Sequence, residues 1–316
     1  MTSRGILVEH ARTSIANGSK SFATASLLFD RQTRERAWLL YSWCRKCDDI
    51  ADGQDHGGAL SQVEDAQARM AEMRAKTQAA LEGRETGDPA FDGLGVVAAE
   101  AGIPHRFAHD LIDGFALDAQ GWRPQTTDDL LRYCYHVAGA VGLMMAVVMG
   151  VSPKDEAVLE RACDLGLAFQ LANIARDISE DAQARRCYIP TDWLEEHALT
   201  ADSLFTPQNR PKMRHIGARF AGMAEEYEAS ARMGAAALPF RSAWAILAAA
   251  GIYGDIARQV TIRGEAAWDQ RVITGKAAKL KWVIRAWGQA LFRSSFRHDR
   301  IMRPAHLWRR NTLTYR

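Results

Sequence analysis

Nowhere in this chain do Val, Ile and Thr alternate with polar residues between turns, so nothing in it calls for a β-sheet. Cysteine is scarce and odd in number: five residues without a secretory context fit a reduced, cytoplasmic protein better than a disulfide framework. Cys44 and Cys47 form a lone CxxC. With no second pair and no histidines at ligand spacing, they read as small residues on a packed helix rather than a zinc or redox site. There is no Glu-x-x-His, which argues against a di-iron carboxylate centre in a helical bundle. No Pro/Gly/Ser linker divides the 316 residues, so one domain over 1–316 is expected. The longest apolar run, Val137 to Val151, is too short to span a membrane, contains three glycines and reads as a buried helix. Ile6-Leu7-Val8 is too short for the apolar core of a secretory signal, so no leader is expected.

What is present is helix-forming sequence in quantity, 47% hydrophobic and 25% charged, with ample material for a large core. The stretch Cys163 to Tyr188 organises the rest. It carries Asn173, Asp177 and Asp181 at four-residue intervals, each step turning only about 40° around a helix, so the three stay within roughly 80° and span about 12 Å. Gln170 and Gly166 continue the row upstream, and Arg176 lies beside it. Leu167, Leu171, Ile174 and Ile178 form a second, apolar face. A solvated face would account for Asp181 and Glu180, but not for Asn173 and Gln170, which need partners if buried.

A second row strengthens the first. In YSWCRKCDDIAD, Tyr41, Arg45, Asp48 and Asp52 fall at i, i+4, i+7 and i+11, on one face of a helix. Two Asp-x-x-x-Asp rows, each with an arginine nearby, point to one shared cavity. Carboxylates alone repel a diphosphate. They become useful when Mg²⁺, a hard cation that takes oxygen ligands, bridges them to phosphate and arginines take the remaining charge. A non-catalytic helical scaffold would leave both arginines unexplained.

Through GSKSFATAS, LLYSWCRKCDDIAD, LRYCYHVAGAVGLMMA, DLGLAFQLANIARDISED, RCYIP and LPFRSAWAI the chain resembles the squalene/phytoene synthase family, and its carotenoid-forming bacterial members most. The resemblance implies an all-α, single-domain bundle of the isoprenoid synthase type, with a central cavity between two Asp-rich helices. It implies head-to-head joining of two geranylgeranyl diphosphates through a cyclopropyl diphosphate to phytoene, releasing two diphosphates, the first step of carotenoid synthesis. Asp48, Asp52, Asn173, Asp177 and Asp181 would hold Mg²⁺, with Mn²⁺ able to substitute, and no NADPH is expected. Tyr41, Arg45, Tyr133 and Arg176 would act on the reacting groups. Ser19, Lys20, Ser21, Gln170 and Tyr253, with Tyr41, Arg45 and Arg176, would bind substrate. The residues by themselves leave simpler roles open: an N-capping Ser19 with a solvated Lys20, and a core Tyr253. No role attaches to Gly18. The second reading within the family is a C15 enzyme making squalene, hydroxysqualene or dehydrosqualene. Five fewer carbons remove about 4 kcal/mol of apolar burial, so pocket depth would separate the two.

The remaining expectations concern order along the chain. Helices are expected to Asn17, over 30–52, from about Leu60 to Leu81, over 90–101 and over 105–120. Thr126 to Asp129 looks like a capping box opening one helix that carries Tyr133, Tyr135 and the apolar run. Ser152-Pro153 has the form of an N-cap and first-turn proline launching the second motif helix. Residues 190–211 read as irregular, followed by helices to about Ala237 and over 239–264. From Arg271 to Arg316 there are twelve Lys or Arg and one acid, Asp299, leaving the tail near +11 and the body near −9. Aromatics, Trp282, Trp287, Phe292, Phe296 and Trp308, are interspersed. Such an end suits peripheral contact with an anionic membrane; the alternatives are a tail folded onto the acidic body and non-specific nucleic-acid attraction. Nucleic acid is not expected as a partner, and no stable protein partner is inferred.

Overall fold

In the computed structural model the apolar stripes of the sequence close against one another as helices. The structure describes residues 3–52, 66–295 and 302–312, apart from the side chains of Lys20, Ser21, Asp52 and Thr312. In order these are α1 (Arg4–Gly18), α2 (Lys20–Ser26), α3 (Arg31–Asp52), α4 (Ala66–Leu81), α5 (Pro89–Ala101) and α6 (His105–Ala119). Then come α7 (Thr127–Cys134), a π-helical turn (Tyr135–Gly139), α8 (Ala140–Val148), α9 (Glu156–Gln183) and α10 (Thr191–Glu196). The last three are α11 (Arg210–Gly234), α12 (Phe240–Arg263) and α13 (Lys276–Leu291). No strand occurs among the described residues. The architecture is the all-α bundle expected, and the loop from Gly53 to Gly58, with the start of the helix expected from Leu60, lies outside the described residues.

The second motif helix, α9, is the central post. It packs against α8, α11 and α12, and its apolar face is fully used: Leu167, Leu171, Ile174 and Ile178 are all buried. Small residues let its neighbours approach. A Cβ on Gly166 would collide with the Ala138 carbonyl, and one on Gly142 with the Ala162 carbonyl. One apolar cluster runs from Leu7 in α1 to Trp308 near the chain end.

Two expectations about helix ends change. Ser152-Pro153 does not launch α9. The cap is Asp155, whose side chain accepts from Val158 N–H at 3.2 Å, while Asp155 N–H donates back to the Ser152 carbonyl at 2.9 Å. A carboxylate both caps the free N–H groups and answers the positive end of the helix dipole, which a serine three residues earlier does not. The helix expected to run unbroken from the Thr126 box is interrupted at Tyr135–Gly139. The box itself is present, Thr126 and Asp129 each accepting from the other's backbone. A π turn is closed by i→i+5 bonds and holds more residues than an α turn, so Tyr133, Val137 and Val141 drift less around the axis. All three face one cavity.

The basic chain end is divided. Residues 302–312 fold back on the body. Arg303 donates to Asp164 at 2.9 and 2.6 Å, Arg310 pairs with Glu160 at 3.0 Å and with Glu156, and Trp308 N–H donates to the Tyr227 hydroxyl at 3.1 Å. For these residues the folded-back alternative is the one realised; 296–301, with Phe296, and 313–316 lie outside the described residues. Asp164 is fully buried and also accepts from Ser230 Oγ at 2.5 Å.

Truncating Asp164 leaves the Arg303 guanidinium with two backbone carbonyls and only a longer contact to Glu160, at 3.8 Å, to balance its charge. Asp164→Ala is expected to cost about 3–5 kcal/mol, read as a lower urea midpoint at unchanged slope. A shift of under about 1 kcal/mol would mean that the strap carries no stability.

Candidate active site

The first row converges as its spacing requires. Tyr41, Cys44, Arg45, Asp48 and Ala51 of α3 line one wall of a polar cavity of ≈ 470 Å³. Gln170, Asn173, Asp177 and Asp181 of α9 line the facing wall. Arg45 lies between two carboxylates, donating to Asp48 at 3.1 Å and pairing with buried Asp49 at 2.7 Å. Asp177 is held by its neighbour Arg176, Nε to Oδ1 at 2.6 Å, and by Arg271 in a two-pronged contact at 3.0 Å on each oxygen. The Asp52 side chain, with those of Lys20 and Ser21, lies outside the described residues.

Behind the polar cavity lies an apolar one of ≈ 360 Å³, walled by Phe22, Met145, Met149, Leu165, Phe169, Leu238 and Ile246 among others. Along α9 it extends from Asn173 to Val158, a rise of roughly 22 Å. Tyr253 of α12 is part of this wall, stacked on Phe169 with centroids 4.2 Å apart. Ser19 also lines it while capping α2, Oγ accepting from Phe22 N–H at 3.3 Å, so the cap reading and the cavity reading both hold for this residue. Tyr41, Val137, Val141, Gln170 and Asn173 belong to both cavities, which therefore adjoin.

Tyr41 stands at the junction. Burial raises its hydroxyl to about 12 against the opposing pull of Arg45, so it is a neutral phenol at physiological pH. Gly18, to which no role was attached, acquires one: any Cβ there would collide with the Tyr41 hydroxyl. Tyr133 is stacked between Trp122 and Tyr188, at 5.6 and 4.9 Å. Its hydroxyl and that of Tyr188 each donate to one oxygen of Asp118 at 2.9 Å. Asp118, Arg186 and Tyr188 were not singled out from the sequence, yet all three line the polar cavity. Tyr188 and Arg186 stand in or beside the RCYIP match. Asp118 is a single acid on α6 with no periodic companion, and no local signal marks it. The CxxC thiols are not reactive groups: Cys47 is fully buried, and burial pushes Cys44 up to about 12.

The donor set fits a divalent cation. Asn173 lines the cavity, and its Oδ1 is buried with no hydrogen-bond donor, a lone pair left unused. Burial, and then the charge of Asp177, push Asp181 up to about 7, the mark of carboxylates crowded without enough positive charge. Among the described residues, the tightest cluster of acid and imidazole groups is elsewhere, at Asp110, Asp113 and His136. There Asp110 is already bound by the Tyr135 hydroxyl at 2.5 Å and lies outside both cavities. In the two rows Arg45 pairs with Asp48, and Arg176 and Arg271 with Asp177.

Comparison with known proteins agrees with this geometry. The squalene/phytoene synthase family matches residues 15–278. A phytoene synthase of Pseudescherichia vulneris is 48% identical over 96% of this chain and 98% of its own length. A 15-cis-phytoene synthase of Pantoea ananas is 47% identical over the same shares. A crystallised dehydrosqualene synthase superposes with a TM-score of 0.80 at 24% identity, covering 90% of this chain and 96% of that one, a likeness of fold.

The crowding of Asp181 has a measurable consequence without metal. An unfolded aspartate ionises near pH 4, so between about pH 4 and 7 the unfolded chain gives up its proton first and stability falls as pH rises. Asp181→Asn is therefore expected to raise the metal-free Tm at pH 8 by several degrees, about 1–3 kcal/mol, and to leave it unchanged at pH 4. A lower Tm at pH 8 would show that the ionised carboxylate is a stabilising group here.

Proposed function

The chain belongs to the squalene/phytoene synthase family, and within it we propose a phytoene synthase that condenses two geranylgeranyl diphosphates head to head. The observation that carries this reading is the join between the cavities: five residues line both, so a diphosphate among the aspartates and a long apolar chain along α9 belong to one bound molecule. Divalent cations, Mg²⁺ with Mn²⁺ able to substitute, supply charge neutralisation of the diphosphate when bound, and Asp48, Asp52, Asn173, Asp177 and Asp181 would hold them.

The chain's own residues account for the rest. Arg45 and Arg186 line the polar cavity with guanidinium donors for phosphate oxygens, and Arg176, which lines neither cavity, holds Asp177. Departure of diphosphate from one substrate leaves an allylic cation, which the double bond of the second attacks, and loss of a proton from the resulting cation closes the ring of a cyclopropyl diphosphate. Loss of the second diphosphate, rearrangement and loss of a proton give the hydrocarbon, and no reductant enters the balance. Water has to be kept from these cations, which the apolar walls do. The face of Tyr41, a neutral phenol at the junction of the cavities, stabilises positive charge, while Tyr133, whose faces are taken by Trp122 and Tyr188, serves as cavity wall. Tyr188 and Asp118 fix the ring of Tyr133 in place. The product is insoluble in water, so the same reading puts the enzyme at the cytoplasmic surface of a membrane.

Asp48→Asn and Asp177→Asn are each expected to lower turnover at least tenfold, in the range of about 10–100-fold or beyond, with far-UV CD unchanged. Retention of more than about a tenth of the wild-type rate in either would overturn the two-row site. With C20 diphosphate and divalent metal the product is expected to be phytoene with or without NADPH. A strict requirement for NADPH, or turnover confined to C15 diphosphate, would move the enzyme to the squalene-forming branch.

A further inference from the structure

The outer face of α13 carries four exposed large apolar side chains, more than any other helix among the described residues. The helix uses one side to pack on α12, where Ala286 and Ala290 are buried and Trp244 Nε1 donates to the Val283 carbonyl at 2.9 Å. On another side Leu280, Ile284, Trp287 and Leu291 recur at i, i+4, i+7 and i+11, within about 60° of one another. These four and Phe292 are between 45% and 68% exposed. A soluble helix normally turns such a stripe inward.

Charge identifies the occupant. From Arg271 to His298 there is no acidic residue. Exposed Lys281 and Arg285 flank the stripe on one side, and exposed Lys276 precedes it. A second copy of α13 laid on this face would bring like charges together with no acid to neutralise them. An anionic bilayer supplies both complements at once, head groups for the cations and acyl chains for the stripe, with Trp287 and Phe292 at the boundary. The position suits the product as well. Arg293, just past α13, donates to the Leu238 carbonyl at 3.0 Å, and Leu238 lines the apolar cavity. Within residues 302–312, Arg303 and Arg310 are spent on Asp164, Glu160 and Glu156 and offer no charge to a membrane.

We propose that the exposed stripe of α13, with its flanking lysine and arginine side chains, is the surface by which the enzyme docks on an anionic phospholipid bilayer. The inference deepens the functional reading by placing the apolar cavity beside the membrane. It rests on surface geometry, so its test does not require turnover.

Full-length protein is sedimented with vesicles of phosphatidylglycerol and phosphatidylcholine, and with phosphatidylcholine alone. Wild type is expected to bind the anionic vesicles, less so at high salt, with Trp fluorescence quenched by brominated acyl chains. The double variant Ile284→Asp/Leu291→Asp should partition at least about tenfold more weakly, roughly 1.4 kcal/mol, with its CD spectrum unchanged. Lys281→Glu/Arg285→Glu should lose the preference for anionic lipid. Equal binding by the aspartate variant, or no binding by wild type, overturns the proposal. So does a wild-type dimer that the aspartate variant dissociates while vesicle binding is unaffected, which would assign the face to a second copy. Phytoene formation in detergent is measured on the same preparations. Its failure would count against the proposed reaction and leave the vesicle result standing.

Discussion

Carboxylates crowded at the entrance to an apolar cavity are the constraint on which the rest depends. Asp48, Asp177 and Asp181 share one polar chamber, and burial keeps water from solvating the charge of half-buried Asp181. The fold answers with arginines: Arg45 pairs with Asp48 and Asp49, and Arg176 and Arg271 pair with Asp177. These contacts cover only part of the need, since Asp181 is held near neutrality and Asn173 Oδ1 has no donor. Residues that leave their own chamber under-neutralised and under-bonded would gain from a divalent cation, because its binding would remove a penalty that folding leaves in place.

The helices serve this arrangement. The long α9 has to present polar groups to the chamber at one end and apolar ones to the cavity behind it, and its glycine at 166 lets the π turn come close. The π turn keeps Tyr133, Val137 and Val141 on one wall, where Asp118 holds two phenols from opposite strands of the chain, Tyr133 and Tyr188. At the far end the strap of residues 302–312 uses buried Asp164 on the same helix. One helix thus carries the acidic row, the cavity wall and the anchor of the chain end.

Much of this was legible before folding because it is local. The i, i+4, i+7 spacing of Tyr41, Arg45 and Asp48, and the four-residue spacing of Asn173, Asp177 and Asp181, are consequences of 3.6 residues per turn. So are the buried faces of α9 and the capping box at Thr126. The start of α9 was misplaced because Ser152-Pro153 and Asp155-Glu156 offer competing N-terminal signals, and only the added charge at the dipole separates them. The π turn left no mark in periodicity, since one wider turn shifts the phase too little to see within a run apolar on every side.

The sequence by itself determined that the chain is helical, that it carries two acidic rows, each along one helix face with an arginine beside it, and which family it resembles. These follow from residue type and short-range geometry. Only the tertiary structure decided that Asp118, Arg186 and Tyr188 join the chamber, that Arg271 reaches Asp177, and that Gly18 makes room for Tyr41. It also decided that the basic end is divided, with Arg303 and Arg310 folded onto buried acids while α13 keeps its apolar stripe outside. Each of these joins residues far apart in the chain, and pairing across such distances is settled by packing and by competition among charges, neither of which has a period to read.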